Sequence, residues 1–301
     1  MRNKITIAAM VGLFLVCFVA VPALYAKEKC SLRTLAGTYA IYEKGSSSIL
    51  DPNPNPSLFP FYSGITAPFV NVAEITFSPY GVGEGFYWIR IGALNGGLDP
   101  IPVHVTVTEM NPDCTGKLQY SVNLPGISAT IEERIIVFDE GREFRSVPTS
   151  IHGGIDTLAW TGTGQRISKS SKPVRSCGSH TAHGTYLLTA ENLVAADTHT
   201  AVADTLFIRE DVSMTGDYTG TLYEKIGTVS VETPALGTIT VNPDCSFTST
   251  LKVPEFFSGA IVLKGVFFNE GKEYYAMAID EGIPYSFAYG KRIGQMPDPR
   301  D

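Results

Sequence analysis

Charge is scarce in this chain. Asp, Glu, Lys and Arg make up 18% of its 301 residues, and the basic ones are the minority, 23 against 30. No Lys/Arg-rich block and no aromatic–basic stripe occurs, which excludes nucleic acid and anionic membrane surfaces as partners. Histidine is rarer still, at 5 residues. The one close pair, His180 and His183, has no cysteine or carboxylate cluster beside it. It reads as exposed polar residues ahead of a strand, and no metal and no cofactor is expected. A G-x-S-x-G elbow is missing, so no nucleophile–His–acid triad can be assembled. The stretch "GVGEG" (Gly81–Gly85) reads as a hairpin turn, because no strand-to-helix context follows for a phosphate loop. No N-x-S/T acceptor is present either, since "NPS" at Asn55 has proline in the middle.

A long run that is both uncharged and predominantly apolar opens the chain. Arg2 and Lys4 precede an uncharged run from Ile5 to Ala26, the pattern of a basic n-region and an apolar h-region. Pro22 interrupts the run, and Ala23 and Ala26 offer small residues for cleavage, so residues 1–26 are expected to be a signal peptide. The context of Cys17, "LFLVC", does not suit a lipoprotein. Without Arg2 and Lys4 the basic residues fall to 21 against 30 acidic ones, a net charge of −9. The expected location is secreted or periplasmic, with no membrane contact after cleavage.

Of five cysteines, four lie beyond the leader: Cys30, Cys114, Cys177 and Cys245. An even number in an exported chain reads as disulfides. Four cysteines allow three pairings, and an internal repeat chooses among them. Cys30 is followed by "GTY" (Gly37–Tyr39) and Cys177 by "GTY" (Gly184–Tyr186) at the same spacing. "NPDC" then occurs at Asn111–Cys114 and again at Asn242–Cys245. "FDEGREF" (Phe138–Phe144) is answered by "FNEGKEY" (Phe268–Tyr274), and "GQRI" (Gly164–Ile167) by "GKRI" (Gly290–Ile293). Landmarks in one order at similar spacing mark a tandem duplication. The expected organisation is a first domain over 27–167, a polar linker over 168–176, a second domain over 177–294 and a tail over 295–301. Each domain is long enough for its own core, and residues 177–301 are expected to fold alone. Cys30 therefore pairs with Cys114, and Cys177 with Cys245. In the chain-entropy view each crosslink contributes roughly 4 kcal/mol. "NPD" is turn chemistry, and "DEG" and "NEG" are hairpin loops with glycine placed for positive φ.

Period two runs nearly everywhere. Val103, Val105 and Val107 alternate with His104, Thr106 and Thr108, which puts His104 on an outer polar face. Leu118, Tyr120 and Val122 alternate with Gln119 and Ser121, and "LGTITV" (Leu236–Val241) alternates likewise. Beyond the leader no segment sustains a long helical stripe. At most a helical turn follows each leading cysteine, in "SLRTLAG" and "SHTAHG". In "GFYWIRIG", Phe86, Trp88 and Arg90 alternate with Tyr87, Ile89 and Ile91, so both faces are bulky. The Pro-Asn stretch Ser46–Gly64 reads as a rim loop inserted into the first half. Each half offers about eight short strands, an all-β domain that is an antiparallel barrel or, alternatively, a β-sandwich. Small residues repeated on the last strands (Gly162, Gly164; Ala288, Gly290) favour the strongly curved wall of a barrel.

The order C-x6-GTY, NPDC, (D/N)EG(K/R)E, G-x-R-I resembles a group of bacterial secreted proteins of unknown function. The resemblance implies an eight-stranded barrel of the allene oxide cyclase or dirigent type, within the wider lipocalin-like shape, here in tandem. The chain departs from the group at the Pro-Asn insertion and in the second half, where "EDVSMTGDYTG" dilutes the glycine-rich hairpins.

The recurrent charged residues are the candidate site. Glu143 and Glu273 follow the hairpin glycine, and Arg166 and Arg292 lie near the end of each domain. Each glutamate is expected to pair with its arginine, shielded from water, as a wall brace or as a polar group in a lumen that orients a ligand. No third partner for acid–base catalysis is visible. The leading reading is an exported, non-enzymatic two-barrel protein that binds a small apolar molecule or a partner surface. The alternatives are a barrel enzyme of cyclase or isomerase type and a structural envelope or surface protein. A lumen of a few hundred Å3 with convergent polar groups would support ligand binding or catalysis, and a filled barrel the structural reading.

Overall fold

The computed structural model describes residues 30–49, 66–91, 94–95, 99–124, 127–153, 155–170, 176–191, 206–226, 229–254, 259–279 and 287–294. The expected leader, most of the Pro-Asn insertion, the middle of the linker and the tail lie outside them.

The alternating segments become strands throughout. The first half folds into β1 (Gly37–Ile49), β2 (Thr66–Phe77), β3 (Val82–Ile91), the two-residue β4 (Leu94–Asn95), β5 (Ile101–Met110), β6 (Thr115–Leu124), β7 (Ile127–Phe138), β8 (Glu143–Gly153) and β9 (Ile155–Ser168). Consecutive long strands pair antiparallel, and β1 pairs with both β2 and β9, so the sheet closes. The second half is a closed barrel of β10 (Gly184–Glu191), β11 (Leu206–Val212), β12 (Asp217–Ile226), β13 (Val229–Val241), β14 (Ser246–Lys252), β15 (Ala260–Phe268), β16 (Glu273–Ala278) and β17 (Phe287–Gly294). Two eight-stranded antiparallel barrels therefore replace the sandwich alternative. Closure leaves no sheet edge to cover, and eight strands leave an interior about wide enough for side chains to fill.

The shared motifs gather at one end of each barrel. The expected helical turns are present, as a 3-10 turn at Leu32–Leu35 and a helical turn at Ser179–Ala182. Disulfides Cys30–Cys114 and Cys177–Cys245 tie the entry segments to the NPDC turns. In each turn the Asp side chain accepts from the backbone N–H two residues on, Asp113 from Thr115 at 3.0 Å and Asp244 from Ser246 at 2.9 Å. Cys114 and Cys245 sit at φ 70° and 71°, and their carbonyls accept from Val137 and Phe267, both at 2.9 Å. The loops after β7 and β15 place Asp139, Glu140 and Gly141, and Asn269, Glu270 and Gly271, all at positive φ. "GVGEG" differs from expectation: the turn lies at Ser78–Gly81 and Val82–Gly85 already belong to β3. The start of the Pro-Asn insertion, Ser46–Ile49, likewise extends β1, paired to β2 and β9.

A third apolar cluster joins the barrels. Ala40, Tyr42, Val70, Val72 and Trp88 from the outer face of β1–β3 pack against Val266, Phe268, Tyr275, Met277 and Phe287 from the outer face of β15–β17. Tyr42 stacks on Phe287 with ring centroids 3.5 Å apart, and buried Arg90 donates to the Ala278 carbonyl at 3.3 Å. The seam explains why "GFYWIRIG" is bulky on both faces: Tyr87 and Ile89 fill the lumen, while Trp88 and Arg90 face the second barrel.

The seam also bears on the expectation that residues 177–301 fold alone, since such a fragment would expose this aromatic face. Trp88→Ala should cost about 3–5 kcal/mol, as for other buried aromatic truncations. Calorimetry should then show one unfolding transition separating into two; a single transition shifted as a whole would mean that Trp88 does not couple the barrels.

Candidate functional site

Arg166 and Arg292 occupy equivalent places at the motif-rich ends. Arg166 Nε and Nη2 donate to the Tyr39 hydroxyl at 3.1 and 3.0 Å, and Nη2 also to the Thr34 carbonyl at 2.5 Å. Tyr39 in turn donates to the Gly141 carbonyl at 2.5 Å. In the second barrel Arg292 Nε and Nη2 donate to the Tyr186 hydroxyl at 3.1 and 2.7 Å, and Nη2 to the carbonyls of Thr181 at 2.6 Å and Gly271 at 2.9 Å. Tyr186 donates to the Gly271 carbonyl at 2.6 Å. Each guanidinium also lies over its tyrosine ring. The arginine thus locks the leading helical turn, the first strand and the glycine loop together. A Cβ on Gly141 would collide with the Thr34 carbonyl and the Arg166 head, and one on Gly271 with the Thr181 carbonyl, so these positions demand glycine for space as well as for φ.

Glu143 and Glu273 are not the partners of these arginines, and strand parity is the reason. Glu143 faces outward, where it accepts from Arg145 at 2.6 Å and Gln165 at 2.8 Å. Its register partner across β8–β9 is Gln165, so Arg166 points to the opposite face. Glu273 opposes Lys291 in the same way and accepts from Asn269 at 3.5 Å. Inward-facing Phe144 and Tyr274 instead pack against Gly164 and Gly290, where a Cβ would run into their rings. His180 is exposed, and exposed His104 lies 3.9 Å from Glu84 on the outer face.

The polar chemistry of the first lumen lies elsewhere, at residues the motif comparison does not reach. A narrow void of about 30 Å3, taken as the space open to the centre of a water-sized sphere, lies inside the first barrel. Slender and walled mainly by aliphatic and aromatic side chains, it carries Glu43, Glu133 and Asn71 on its lining. Tyr120 donates to Glu133 Oε1 at 2.8 Å and Trp160 Nε1 to the same oxygen at 2.9 Å. Asn71 Nδ2 donates to Glu43 Oε2 at 2.8 Å, while its own buried Oδ1 has no hydrogen-bond partner. The two carboxyl groups are near enough to influence each other electrostatically. Burial, then the Glu133 charge, hold Glu43 well above the usual carboxylate range. Burial also raises Glu133, while Tyr120 and Trp160 pull it back. Both shifts favour keeping a proton on the pair.

This cluster is not duplicated. Counting from Gly37 and Gly184, Ala190 stands where the first barrel has Glu43; counting from the cysteines, Leu251 replaces Tyr120. Counting from Val137 and Phe267, whose N–H groups bond the two cysteine carbonyls, Leu263 replaces Glu133. Rings of Tyr186, Phe247, Phe267 and Tyr274 pack together in the second lumen. Its buried carboxyl is Glu210, which accepts from Tyr274 at 2.9 Å. Burial pushes Glu210 up to about 7, with Tyr274 opposing.

No family model and no curated protein matches the chain. Among solved structures, it is similar to the isotype 1 transferrin binding protein B of serogroup B Neisseria meningitidis, at 12% identity and a TM-score of 0.31, covering 83% of this chain and 56% of that one. It is also similar to a protein of unknown function from the DUF3598 family of Nostoc punctiforme, at 10% identity and a TM-score of 0.25, covering 88% and 100%. The chain thus spans little more than half of the transferrin binding protein, and neither likeness bears on what it does.

Two outcomes are expected. In a double-mutant cycle, Arg292→Met should cost about 3 kcal/mol through lost charged hydrogen bonds and Glu273→Gln less than about 0.5 kcal/mol. The two should add within about 0.5 kcal/mol; strong coupling in denaturant melts would restore the ion pair. The second concerns pH. The folded-state value of Glu210, about 7, lies above its ordinary 4.5, so the folded protein holds the proton more tightly. Its stabilising share is complete below the ordinary carboxylate range and is lost as pH rises toward 7, a total of roughly 3 kcal/mol. Urea melts across that range should show a shallower decline for Glu210→Gln than for the parent; equal slopes would refute the assignment.

Proposed function

We propose that this is an exported binding protein whose first barrel holds a small, mainly apolar ligand with its polar head against Glu43, Glu133 and Asn71. The observation that carries the reading is the narrow apolar void with those groups on its lining, which an entering ligand would widen by displacing the wall. A buried carboxyl pair beside an unsatisfied amide oxygen is costly for a spacer; a ligand that donates hydrogen bonds would satisfy all three. The two disulfides fit an oxidising compartment, and residues 1–26 are proposed as the signal peptide that delivers the chain there. The motif order supports barrels of the allene oxide cyclase or dirigent type. A proton kept on the pair is also what a cyclase or isomerase would use, and the two readings differ in whether the bound molecule leaves unchanged.

The chemistry of the head is restricted. Around the pair, the titratable neighbours are Tyr120 on β6 and Tyr87 on β3, the latter raised to about 12 by burial. Strands β2, β8 and β9 contribute Asn71, Ser146 and Trp160, and no cation lines the void among the described residues. An ammonium would displace the pair's proton and meet acceptors, an alcohol would donate once, and a carboxylate would add a further negative charge.

Calorimetric titration with octylamine, octanol and octanoate should rank them in that order, with steps of at least about tenfold. Octylamine should release about one proton, read from two buffers of different ionisation heat. Its affinity should rise with pH while the pair still holds the proton. Octanoate binding as tightly as octylamine would refute the head assignment, and failure of all three and of a neutral fluorescent apolar probe would refute ligand binding itself.

A further inference from the structure

The seam between the barrels joins two different faces, the outside of β1–β3 and the outside of β15–β17. Because the barrels are repeats, the molecule has a second copy of each face. The outside of β10–β12 is equivalent to β1–β3, and the outside of β7–β9 to β15–β17. The strand registers fix the equivalences. Val72 opposes Trp88 as Phe207 opposes Tyr223, and Ala40 opposes Glu74 as Leu187 opposes Arg209. Val266 opposes Tyr275 as Ile136 opposes Arg145, and Phe268 opposes Glu273 as Phe138 opposes Glu143.

Both spare faces keep large apolar side chains at seam positions. Leu187, Phe207 and Tyr223, equivalent to Ala40, Val72 and Trp88, are 36%, 40% and 43% exposed. Ile136, Phe138 and Val147, equivalent to Val266, Phe268 and Met277, are 48%, 44% and 45% exposed. These six are the majority of the eleven large hydrophobic residues exposed among the described residues, so the apolar surface is concentrated on the two faces that the repeat leaves over. Charge points the same way. Within the seam Glu74 lies in electrostatic reach of Asp244, two acids together. The equivalents on the spare faces are Arg209 and Asp113, which carry opposite signs and are both exposed. A contact built like the seam, but between two molecules, would bring opposite charges together where the seam has a carboxyl that burial, and then Asp244, push up to about 9.

We infer that copies of this chain associate head to tail, the outer face of β7–β9 of one molecule seating on the outer face of β10–β12 of the next, in the manner of the internal seam. Such an interface is heterologous, so each molecule added leaves one face of each kind free, and growth continues unless the ring closes. The contact is weaker than the seam. Arg145, Thr161 and Thr163 stand where the seam has Tyr275, Phe287 and Tyr289, and that loss of aromatic area makes association depend on concentration.

Sedimentation velocity of the purified protein over a concentration series should show mass that rises past the dimer. Phe138→Asp and Phe207→Asp should each raise the dissociation constant at least about tenfold, and circular dichroism should show both folded because both sites are exposed. Each variant spoils a different face, so a mixture of the two retains one intact pair of faces and should form dimers and nothing larger. Asp113→Arg and Arg209→Asp should each weaken association and should recover it when mixed. A monomer at every concentration would overturn the inference. So would association that only one of the two phenylalanine variants disturbs, or that neither disturbs.

Discussion

The guanidinium of Arg166, and its copy Arg292, is the contact on which the rest of each barrel depends. A closed sheet of eight strands needs its first and last strands brought into register, and the arginine on the last strand reaches the tyrosine on the first. That tyrosine holds the carbonyl of the loop that precedes the last two strands. One planar, permanently charged group thus bonds the leading turn and the first-strand tyrosine at once. The neighbouring disulfide acts on the same end, so closure is secured twice, once covalently and once by charge-assisted hydrogen bonds.

A division of labour follows along the barrel axis. GTY, NPDC, the glycine loop and the terminal arginine all lie at the braced end, and all are duplicated. The Glu43–Glu133 cluster lies further along the first lumen and is not. Duplication preserved what closes a barrel and let the contents diverge: carboxyls, an amide and an indole in one lumen, packed rings around a single carboxyl in the other.

The frame was legible in the sequence because it is local. Val103–Met110 alternates, the cysteines repeat with their spacing, and NPD folds on itself through Asp113 and Asp244, so strands, disulfides and turns follow from short windows. The site was harder to read. Glu143 and Arg166 recur together, yet parity sends them to opposite faces; counting by two from Phe144 and from Gly164 would have shown it. Glu133 is hidden in "IEERI", where its neighbour Glu132 makes the pair look like solvated surface. The readable signal is that Ile131, Glu133, Ile135 and Val137 form one inward stripe, as do Tyr39, Ile41 and Glu43. That Glu43 and Glu133 meet depends on closure of β1 and β7 around one lumen, which no local window contains.

The wall formed by β1, β2 and β3 has a consequence for how the first barrel moves. Its inward residues Ile41, Ala73 and Ile89 line the void, while the alternate residues Tyr42, Val72 and Trp88 are pressed against the second barrel. A strand covered on both sides has little freedom to open, whereas β5 and β6 present their outer face to water and can breathe. The chamber therefore has a stiff backing and a compliant front. Anything entering it displaces the solvent-facing wall, and the second barrel serves the first as an anvil.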